Sequence, residues 1–257
     1  MEKSKIQLKK SVKLVTKNIE IYAEDVYLKD STGENFIENI VNVTNFPKIF
    51  GRIFPESLKV PILEMGFGEG AITLPLLNAG CIVEIIEGSS KLCESARLKF
   101  GDSVTVHCEL FENFKPTERF QTVLSLHVLE HVDSPSAVVD KIYDWLKPGG
   151  QVIVVVPNAE ALHRQLAVMM GLQSELNSLS VRDEVVGHQR VMTLKEISNL
   201  FERSGFKIVE KFGFFLKTIP NSMMVNYPPD LIRALTNISC DLKPDLMANV
   251  GIVAVKR

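Results

Sequence analysis

One short stretch decides the fold of this chain: Val60-Pro61-Ile62-Leu63-Glu64-Met65-Gly66-Phe67-Gly68-Glu69-Gly70. An apolar run predicts a buried strand, and after an acidic residue three glycines stand on alternate positions before a helix-compatible segment. Glycine allows a sharp turn with positive φ and leaves no Cβ between the main chain and a ligand. A ligand can therefore lie on the loop and on the N-terminus of the following helix. The stretch predicts a site for a nucleotide-type cofactor.

The composition predicts an ordinary globular protein of the cytoplasm. The chain has 257 residues, 46% hydrophobic and 23% charged, which is enough for one large domain with a buried core. A formal net charge of -2 and a pI near 6.2 give no general electrostatic reason to bind nucleic acid or an anionic membrane. No apolar run approaches membrane-spanning length. The four cysteines show no paired spacing, so reduced thiols are expected.

Strand-like apolar runs alternate with helical patterns, which predicts an α/β fold with a parallel sheet flanked by helices. The predicted strands cover residues 60–64, 81–87, 104–108, 120–126 and 151–157, with 206–215 and 250–256 as a closing antiparallel pair at the sheet edge. Helices are predicted over residues 71–79, 89–100 and about 138–146. Another helix begins after Thr193, where Glu196 completes a capping box, and ends at Gly205. The run Lys147-Pro148-Gly149-Gly150 predicts a turn.

Two segments fall outside this alternation and are predicted to be lids. Residues 1–59 precede the first strand, and residues 158–192 form a mixed polar and apolar insert before the Thr193 helix. Both are expected to cover the C-terminal ends of the strands, where open α/β sheets bind ligands. The predicted organisation is an N-terminal lid of residues 1–59 and one domain of residues 60–257 that carries the substrate-side insert.

The glycine loop alone is compatible with two cofactors. The pattern Gly66-x-Gly68-x-x-Ala71, with Glu87 placed to hold a ribose, matches the dinucleotide fingerprint and leaves a nicotinamide oxidoreductase open. Glu64, however, precedes the first glycine, where a carboxylate would repel a pyrophosphate and attract a cationic methionyl group. Glu109, after the third predicted strand, can accept a hydrogen bond from an adenine amino group. These carboxylates favour S-adenosylmethionine.

Four motifs together resemble the class I S-adenosylmethionine-dependent methyltransferases. They are residues 63–70 (LEMGFGEG), the acid Glu87, residues 126–132 (LHVLEHV) and residues 146–150 (LKPGG), within a resemblance that extends over roughly residues 60–256. The resemblance implies a Rossmann-like, mostly parallel sheet of seven strands with an antiparallel final strand and helices on both faces. It also implies methyl transfer that leaves S-adenosylhomocysteine. The matching positions imply a cofactor site formed by Glu64, Gly66, Phe67, Gly68, Gly70, Glu87, Gly88, Glu109, Leu110, Leu126 and His127.

Histidines supply the candidate catalytic residues. Methyl transfer mainly requires alignment of the methyl donor with the acceptor and, for a weak acceptor, removal of a proton. Helical spacing from His127 would place Glu130 and His131 on the same face, and His188 lies in the insert. We therefore take His188, His131 and His127 as the candidate bases.

The same three histidines and Glu130 could also bind a divalent metal ion that draws a substrate hydroxyl toward deprotonation. A related arrangement occurs in ubiquinone-type O-methyltransferases and in small-RNA 3′-end 2′-O-methyltransferases, where a carboxylate occupies the position of His127. The Glu130–His131 pair also recurs in metal-free members of the class, where it shapes the pocket floor. We favour the metal-free interpretation and keep the metal as the alternative.

Four further residues are candidate contacts to the substrate. They are Tyr22, which could line the lid, and three residues of the insert: His163, Arg164 and Arg190. Either arginine could clamp a phosphate or a carboxylate on the substrate. Solvated charges in the insert are the simpler interpretation of both.

The sequence therefore predicts an enzyme that moves a methyl group from S-adenosylmethionine to an oxygen or nitrogen of a small molecule. Oxygen is favoured because histidines near the pocket can serve as base, and because the fourth strand lacks the Asn/Asp-Pro-Pro-aromatic signature of many N-methyltransferases. The alternatives are a metal-assisted RNA 3′-end 2′-O-methyltransferase, a nicotinamide-dependent oxidoreductase and a non-catalytic nucleotide-binding module. We expect no nucleic acid or membrane partner, and a homodimer is left open.

Overall fold

The computed structural model describes residues 19–30 and 33–257 of the chain. Its strands are β1 (Ile62–Met65), β2 (Val83–Glu87), β3 (Val104–Cys108), β4 (Phe120–Leu126), β5 (Leu146–Pro157), β6 (Phe206–Phe214) and β7 (Asn249–Lys256). They form one seven-stranded sheet in the order β3-β2-β1-β4-β5-β7-β6. The pairs among β1 to β5 are parallel, and β7 runs antiparallel to both β5 and β6. The predicted α/β class with a closing antiparallel pair is confirmed.

The helices connect the strands and build the two predicted lid segments. They are α1 (Asn35–Phe50), α2 (Thr73–Asn78), α3 (Ser90–Phe100), α4 (Pro135–Trp145), α5 (Leu162–Met169), α6 (Val181–Val185), α7 (Leu194–Arg203), α8 (Asn221–Met224) and α9 (Pro229–Asn237). A π-helical segment (Ala23–Leu28) precedes α1, and short 3₁₀ turns lie at Pro55–Lys59, Gly101–Ser103, Ile238–Asp241 and Pro244–Leu246. Within the described ranges, no helix is long and apolar enough to cross a membrane.

The apolar run of β5 is buried on both faces of the sheet. Val152 and Val154 pack into a hydrophobic cluster with α4 and α7, whereas Ile153 and Val155 pack into the cluster on the other face with α1 and α3. Successive residues of a strand point to opposite faces, so a strand covered on both sides requires an uninterrupted apolar sequence. This central strand therefore fixes the two layers of helices around the sheet.

The predicted turn at residues 147–150 lies inside β5, which begins at Leu146 and not at Gln151. Leu146 pairs with Phe120, and the next pair joins Gln151 to Thr122, so the four residues between them form a bulge. Gly149 has a φ of +74°. A Cβ on Gly150 would lie 2.9 Å from the carbonyl oxygen of Lys147. Pro148 and the two glycines therefore interrupt the strand pairing, as predicted, but pairing with β4 continues from Gln151 onwards.

The capping box predicted at the start of α7 is confirmed. The hydroxyl of Thr193 accepts a hydrogen bond from the Glu196 amide at 3.1 Å, and the Glu196 carboxylate accepts one from the Thr193 amide at 2.7 Å. We expect Thr193→Ala to lower the free energy of unfolding by about 1 kcal/mol, because it leaves helix N–H groups without an acceptor. Urea denaturation measures this change. Thr193→Ser keeps the oxygen and serves as the control, and equal losses in both variants would contradict the capping role.

Candidate active site

A cavity of about 1350 Å³ opens at the carboxyl ends of β1, β2, β4 and β5. This is the edge at which open α/β sheets bind ligands. Its volume exceeds the roughly 300–1,000 Å³ of a pocket for one drug-sized ligand, so it has room for a cofactor and an acceptor together. Both predicted lids line it, with residues that include Tyr22, Val26 and Tyr27 from the N-terminal segment and His163, Arg164, Asp183 and His188 from the insert.

The glycine loop has the backbone that its sequence predicts. Gly66, Gly68 and Gly70 have φ values of +76°, +54° and +77°. Gly66 and Gly68 line the cavity, whereas Gly70 does not. A Cβ on Gly70 would lie 3.0 Å from the rings of Phe67 and Phe100, which pack edge to face with centroids 6.0 Å apart. Gly70 therefore makes room for aromatic packing behind the loop, while the other two glycines expose the main chain.

Glu87 ends β2 as a buried carboxylate that holds two loops. One of its oxygens accepts a hydrogen bond from the Phe67 amide at 2.9 Å, and the other accepts from the Ser89 amide at 2.8 Å. Burial raises the pKa of Glu87, and these backbone hydrogen bonds oppose the rise. A carboxylate has about four acceptor sites. The amides of Phe67, Ser89 and Gly88 act on Glu87, so it can still accept a hydroxyl donor from the cavity.

Glu64 lines the cavity on β1 and carries a perturbed carboxyl group. It is buried and accepts a hydrogen bond from the Thr73 hydroxyl at 2.7 Å. Burial raises the pKa of Glu64 to about 8, although the Thr73 hydrogen bond lowers it. Burial therefore favours a protonated Glu64 carboxyl at neutral pH, and a cation in the cavity would favour the ionised form.

Beyond β3, the cavity wall is formed by the residues that follow Glu109. The side chain of Glu109 is exposed and does not line the cavity, so the structure does not bring together the predicted adenine contact and the other carboxylates. Leu110 and Gly88 do line it, and a Cβ on Gly88 would lie 3.1 Å from the Leu110 side chain. The lining that follows Glu109 consists of Leu110, Phe111, Glu112 and Asn113, so a flat ring system here would meet two apolar and two polar side chains and not the Glu109 carboxylate.

The turn after β4 differs from the predicted helix. His127 has a left-handed backbone with φ of +58°, and its amide donates to the Val155 carbonyl oxygen at 2.9 Å. A helix cannot start through such a residue, and α4 begins only at Pro135 after the Ser134 cap. A tight turn, and not helical spacing, brings the His127 Nδ1 within 3.2 Å of the Glu130 carboxylate. His127 and Leu126 both line the cavity.

His188 is oriented by a buried carboxylate. Its Nδ1 lies 2.9 Å from Asp183 Oδ1, and Asp183 also accepts hydrogen bonds from Ser180 and from Arg164. Burial raises the pKa of Asp183, but the hydrogen bonds from His188 and Ser180 and the charge of Arg164 hold it below its usual range. An ionised Asp183 accepts a hydrogen bond from the Nδ1–H group of His188, which leaves His188 Nε2 as the nitrogen that can accept a proton.

His131 completes a small group with His188 and Glu130. The two imidazole rings lie 4.8 Å apart, edge to face, and burial lowers the pKa of His131 to about 4. Ligand atoms of Glu130, His131 and His188 all lie within 4.8 Å of one another, whereas His127 is outside this group. Glu130 Oε2 is buried and has no hydrogen-bond partner among the described residues. Two imidazoles and a carboxylate are a ligand set that can bind a divalent ion.

The four predicted substrate contacts are placed differently from one another. Tyr22 and His163 line the cavity, and a Cβ on Gly187 would lie 2.7 Å from the Tyr22 ring. Arg164 also lines it but is buried against Asp183 at 2.7 Å and the Ser178 carbonyl oxygen at 2.8 Å.

Arg190 lies outside the cavity lining. Its guanidinium donates to the carbonyl oxygens of Leu129 and Val132, so it braces the turn after β4. The two arginines predicted to clamp an anion therefore both have structural partners.

Several cavity residues were not predicted from the sequence. Helix α1 contributes four asparagines at helical spacing: Asn35, Asn39, Asn42 and Asn45. Three single residues come from elsewhere in the chain: Tyr27, Asp183 and Lys217. The spacing of the asparagines is a detectable signal for one polar helix face. Tyr27, Asp183 and Lys217 reach the cavity through the folding of the lids and of the loop after β6, which no local pattern reports.

The N-terminal segment is attached to the cofactor side of the cavity. The Glu20 carboxylate accepts hydrogen bonds from the Ser89 hydroxyl at 2.9 Å and the Ser90 amide at 2.6 Å. On the glycine loop, Glu69 accepts from the side-chain amides of Asn35 at 2.7 Å and Asn39 at 3.2 Å. Both loops of the cavity floor are thus held by residues that precede β1.

Comparison with known proteins agrees with this geometry. A family model described as a methyltransferase domain matches residues 42–211. The ubiquinone biosynthesis O-methyltransferase of Paramagnetospirillum magneticum is 35% identical over 133 residues, which are 49% of this chain and 53% of that protein. The protein of the same name from Nitrobacter winogradskyi is 27% identical over 178 residues, 65% of this chain and 66% of that one. The chain thus spans about half of the first relative's length.

Solved structures share the fold. An S-adenosylmethionine-dependent methyltransferase of Thermotoga maritima, described as a possible histamine N-methyltransferase, superposes with a TM-score of 0.64 at 18% identity. The match covers 91% of this chain and 98% of that one. At such low identity the likeness concerns the fold alone. The family model, in contrast, covers more than half of the chain, and it confirms the resemblance carried by the four sequence motifs. This chain belongs to the family of methyltransferase domains.

Proposed function

We propose that this protein transfers a methyl group from S-adenosylmethionine to a hydroxyl oxygen of a small molecule. One observation carries the proposal: the oriented pair of Asp183 and His188 shares a cavity with the buried carboxylates Glu64 and Glu87. A base and a cofactor site that face the same space suit proton removal beside methyl transfer. The name of the Paramagnetospirillum relative supports oxygen as the acceptor atom. Nitrogen stays the alternative, as in the description of the Thermotoga structure.

The described residues fit the cofactor that the motifs imply. When bound, S-adenosylmethionine supplies a methyl group on a positively charged sulfur. Glu87 would hold the ribose hydroxyls, Glu64 the cationic methionyl end, and Gly88 and Leu110 an apolar wall for the adenine. The antiparallel β7 agrees with the final strand that the resemblance to the class I methyltransferases implies.

Asp183, His188 and His131 have different roles in the proposed reaction. Asp183 keeps His188 in the tautomer that can accept a proton at Nε2. His131, held neutral by burial, packs against that ring and restricts its rotation. The lids exclude water, which strengthens electrostatic interactions inside the cavity. Alignment by the cavity walls then supplies most of what this reaction needs.

A metal-assisted form of the same transfer is the second candidate. One observation favours it: within the described ranges the Oε2 atom of Glu130, beside His131 and His188, has no hydrogen-bond partner. A bound divalent ion would lower the pKa of a substrate hydroxyl. The RNA-terminus version of this candidate is less well supported, because a net charge of -2 provides no general attraction for nucleic acid.

The cavity supports a small-molecule acceptor, and the cysteines support a reducing compartment. A small-molecule acceptor suits a concave cavity of about 1350 Å³. All four cysteines, Cys81, Cys93, Cys108 and Cys240, are free thiols, which supports a reducing compartment such as the cytoplasm. The homodimer stays a prediction.

Glu87 is the first residue to test. The parent protein is expected to bind S-adenosylhomocysteine in calorimetric titration and to show no heat with NAD. Glu87→Ala should weaken S-adenosylhomocysteine binding about tenfold or more, since it removes a charged acceptor of hydrogen bonds. Glu84→Ala, on the same strand but paired with His107 outside the cavity, is the matched control. A parent protein that binds NAD and not S-adenosylhomocysteine would refute the proposed cofactor.

Glu64 predicts a pH dependence of cofactor binding. Its pKa of about 8 means that a cationic ligand must displace a proton at lower pH. The affinity for S-adenosylhomocysteine should therefore rise between pH 6 and pH 8, by at most about tenfold per unit, and level off above it. Titration in buffers of different ionisation enthalpy measures the proton released. Glu64→Gln should bind more weakly with a flat profile, and a slope that persists in this variant would assign the titration to another group.

His188 is tested by turnover. A panel of phenols, catechols and hydroxy acids is screened for S-adenosylhomocysteine formation, and the best acceptor is used for the variants. His188→Ala should lower kcat about 10²- to 10⁴-fold because it removes the general base. Binding of S-adenosylhomocysteine should be unchanged. His107→Ala, whose imidazole pairs with Glu84 outside the cavity, is the control.

Full turnover by His188→Ala would rule out His188 as base. The same assay after exhaustive chelation separates the two candidate mechanisms. The metal-free form predicts an unchanged rate, and the metal-assisted form predicts a loss that added divalent ion restores.

A further inference from the structure

Lys217 brings a positive charge into the cavity without a partner among the described residues. It lies in the loop after β6 and lines the cavity. No ion pair or hydrogen bond of its ammonium group occurs within residues 19–30 and 33–257. Burial lowers the pKa of Lys217, while the more distant charges of Glu38 and Asp183 raise it. Lys217 is half-buried, and an anion bound in the cavity would compensate for the hydration that its ammonium group loses.

The neighbouring charged side chains of the cavity have partners of their own. Arg164 donates to the Asp183 carboxylate at 2.7 Å. Arg182 lies 3.7 Å from the Glu34 carboxylate. Glu38 accepts a hydrogen bond from Asn221 at 2.5 Å. The described lining contains three lysine and arginine residues: Arg164, Arg182 and Lys217. Of these, Lys217 is the one whose charge the described part of the chain leaves for a ligand.

His163 provides a second, neutral group at the same place. It lines the cavity from α5, and its Nδ1 is buried without a hydrogen-bond partner in the described structure. Burial, followed by the positive charges of Lys217 and Arg164, lowers the pKa of His163 to about 3. The imidazole is thus neutral at physiological pH and can donate one N–H. A neutral donor beside an ammonium group matches an anionic oxygen group, which accepts charge-assisted hydrogen bonds.

The position of this pair relates it to the proposed base. Arg164, next to His163 on α5, and His188 bind opposite oxygens of Asp183. His163, Lys217 and His188 all line the cavity, so a ligand that contacts the first two would share this space with the proposed base. The cofactor carboxylates Glu64 and Glu87 lie at the ends of β1 and β2.

We propose that Lys217 and His163 form an anion subsite that binds a carboxylate or phosphate group of the methyl acceptor. The inference rests on the proposed methyl transfer and adds the chemical class of the acceptor, a hydroxylated organic acid or phosphate ester. The anion contact lies on Lys217, and not on Arg164 or Arg190, because both arginines are held by other groups.

The test measures anion binding directly. Benzoate and inorganic phosphate are titrated calorimetrically into the full chain, with benzamide as the neutral analogue of benzoate. Lys217→Gln should weaken binding of the anion about tenfold or more, since a hydrogen bond to a charged group is lost. Lys217→Arg should retain most of the affinity. Lys207→Gln, which removes an exposed lysine of β6, is the matched control and should behave as the parent.

The outcomes separate this inference from the proposed function. Tighter binding of benzoate supports a carboxylate on the acceptor, and tighter binding of phosphate supports a phosphate ester. Benzamide that binds as tightly as benzoate, no anion binding by the parent, or equal affinities in the parent and Lys217→Gln would overturn the subsite. Binding of S-adenosylhomocysteine is measured on the same samples: its loss in the parent would refute the cofactor, whereas its retention in Lys217→Gln shows an intact fold.

Discussion

The arrangement of the site depends on one buried carboxylate. The two oxygens of Glu87 accept hydrogen bonds from the Phe67 and Ser89 amides, so a single side chain holds the glycine loop and the start of α3. A buried carboxylate costs free energy unless such donors compensate it. Because the donors come from two different loops, neither loop can move without leaving charge uncompensated. The glycines that allow the main chain to approach a ligand are thereby kept in a fixed position.

The N-terminal segment extends the same constraint. Glu20 places a carboxylate at the N-terminus of α3, where unpaired N–H groups and the helix dipole favour negative charge. Glu69, on the glycine loop, is bound by two asparagines of α1. The N-terminal segment is thus attached to the two loops that carry Glu69 and Ser89. A ligand on those loops would be enclosed by the chain that precedes β1.

The sequence predicted the sheet well because burial on both faces imposes a pattern that can be read residue by residue, as in β5. It failed where a single backbone angle decides the geometry. A positive φ at His127 ends any helix there, and a non-glycine residue gives no local sign of it. At Glu109 and Leu110, a shift of one residue decides which side chain faces the cavity. Lys217 joins the site only through tertiary folding, so no spacing could have identified it.

Burial perturbs ionisable groups of opposite type in the cavity: the carboxyl groups of Glu64 and Glu87, and the ammonium group of Lys217. Burial raises the pKa values of Glu64 and Glu87 and lowers that of Lys217, so each group is less stable when ionised than it would be in water. A ligand with cationic and hydroxyl groups compensates the two carboxyl groups, and an anionic ligand compensates the ammonium group. Exchanging the two ligands would place like charges together and cost free energy for both. Opposite polarity can therefore orient a methyl donor and its acceptor, and alignment is what methyl transfer chiefly requires.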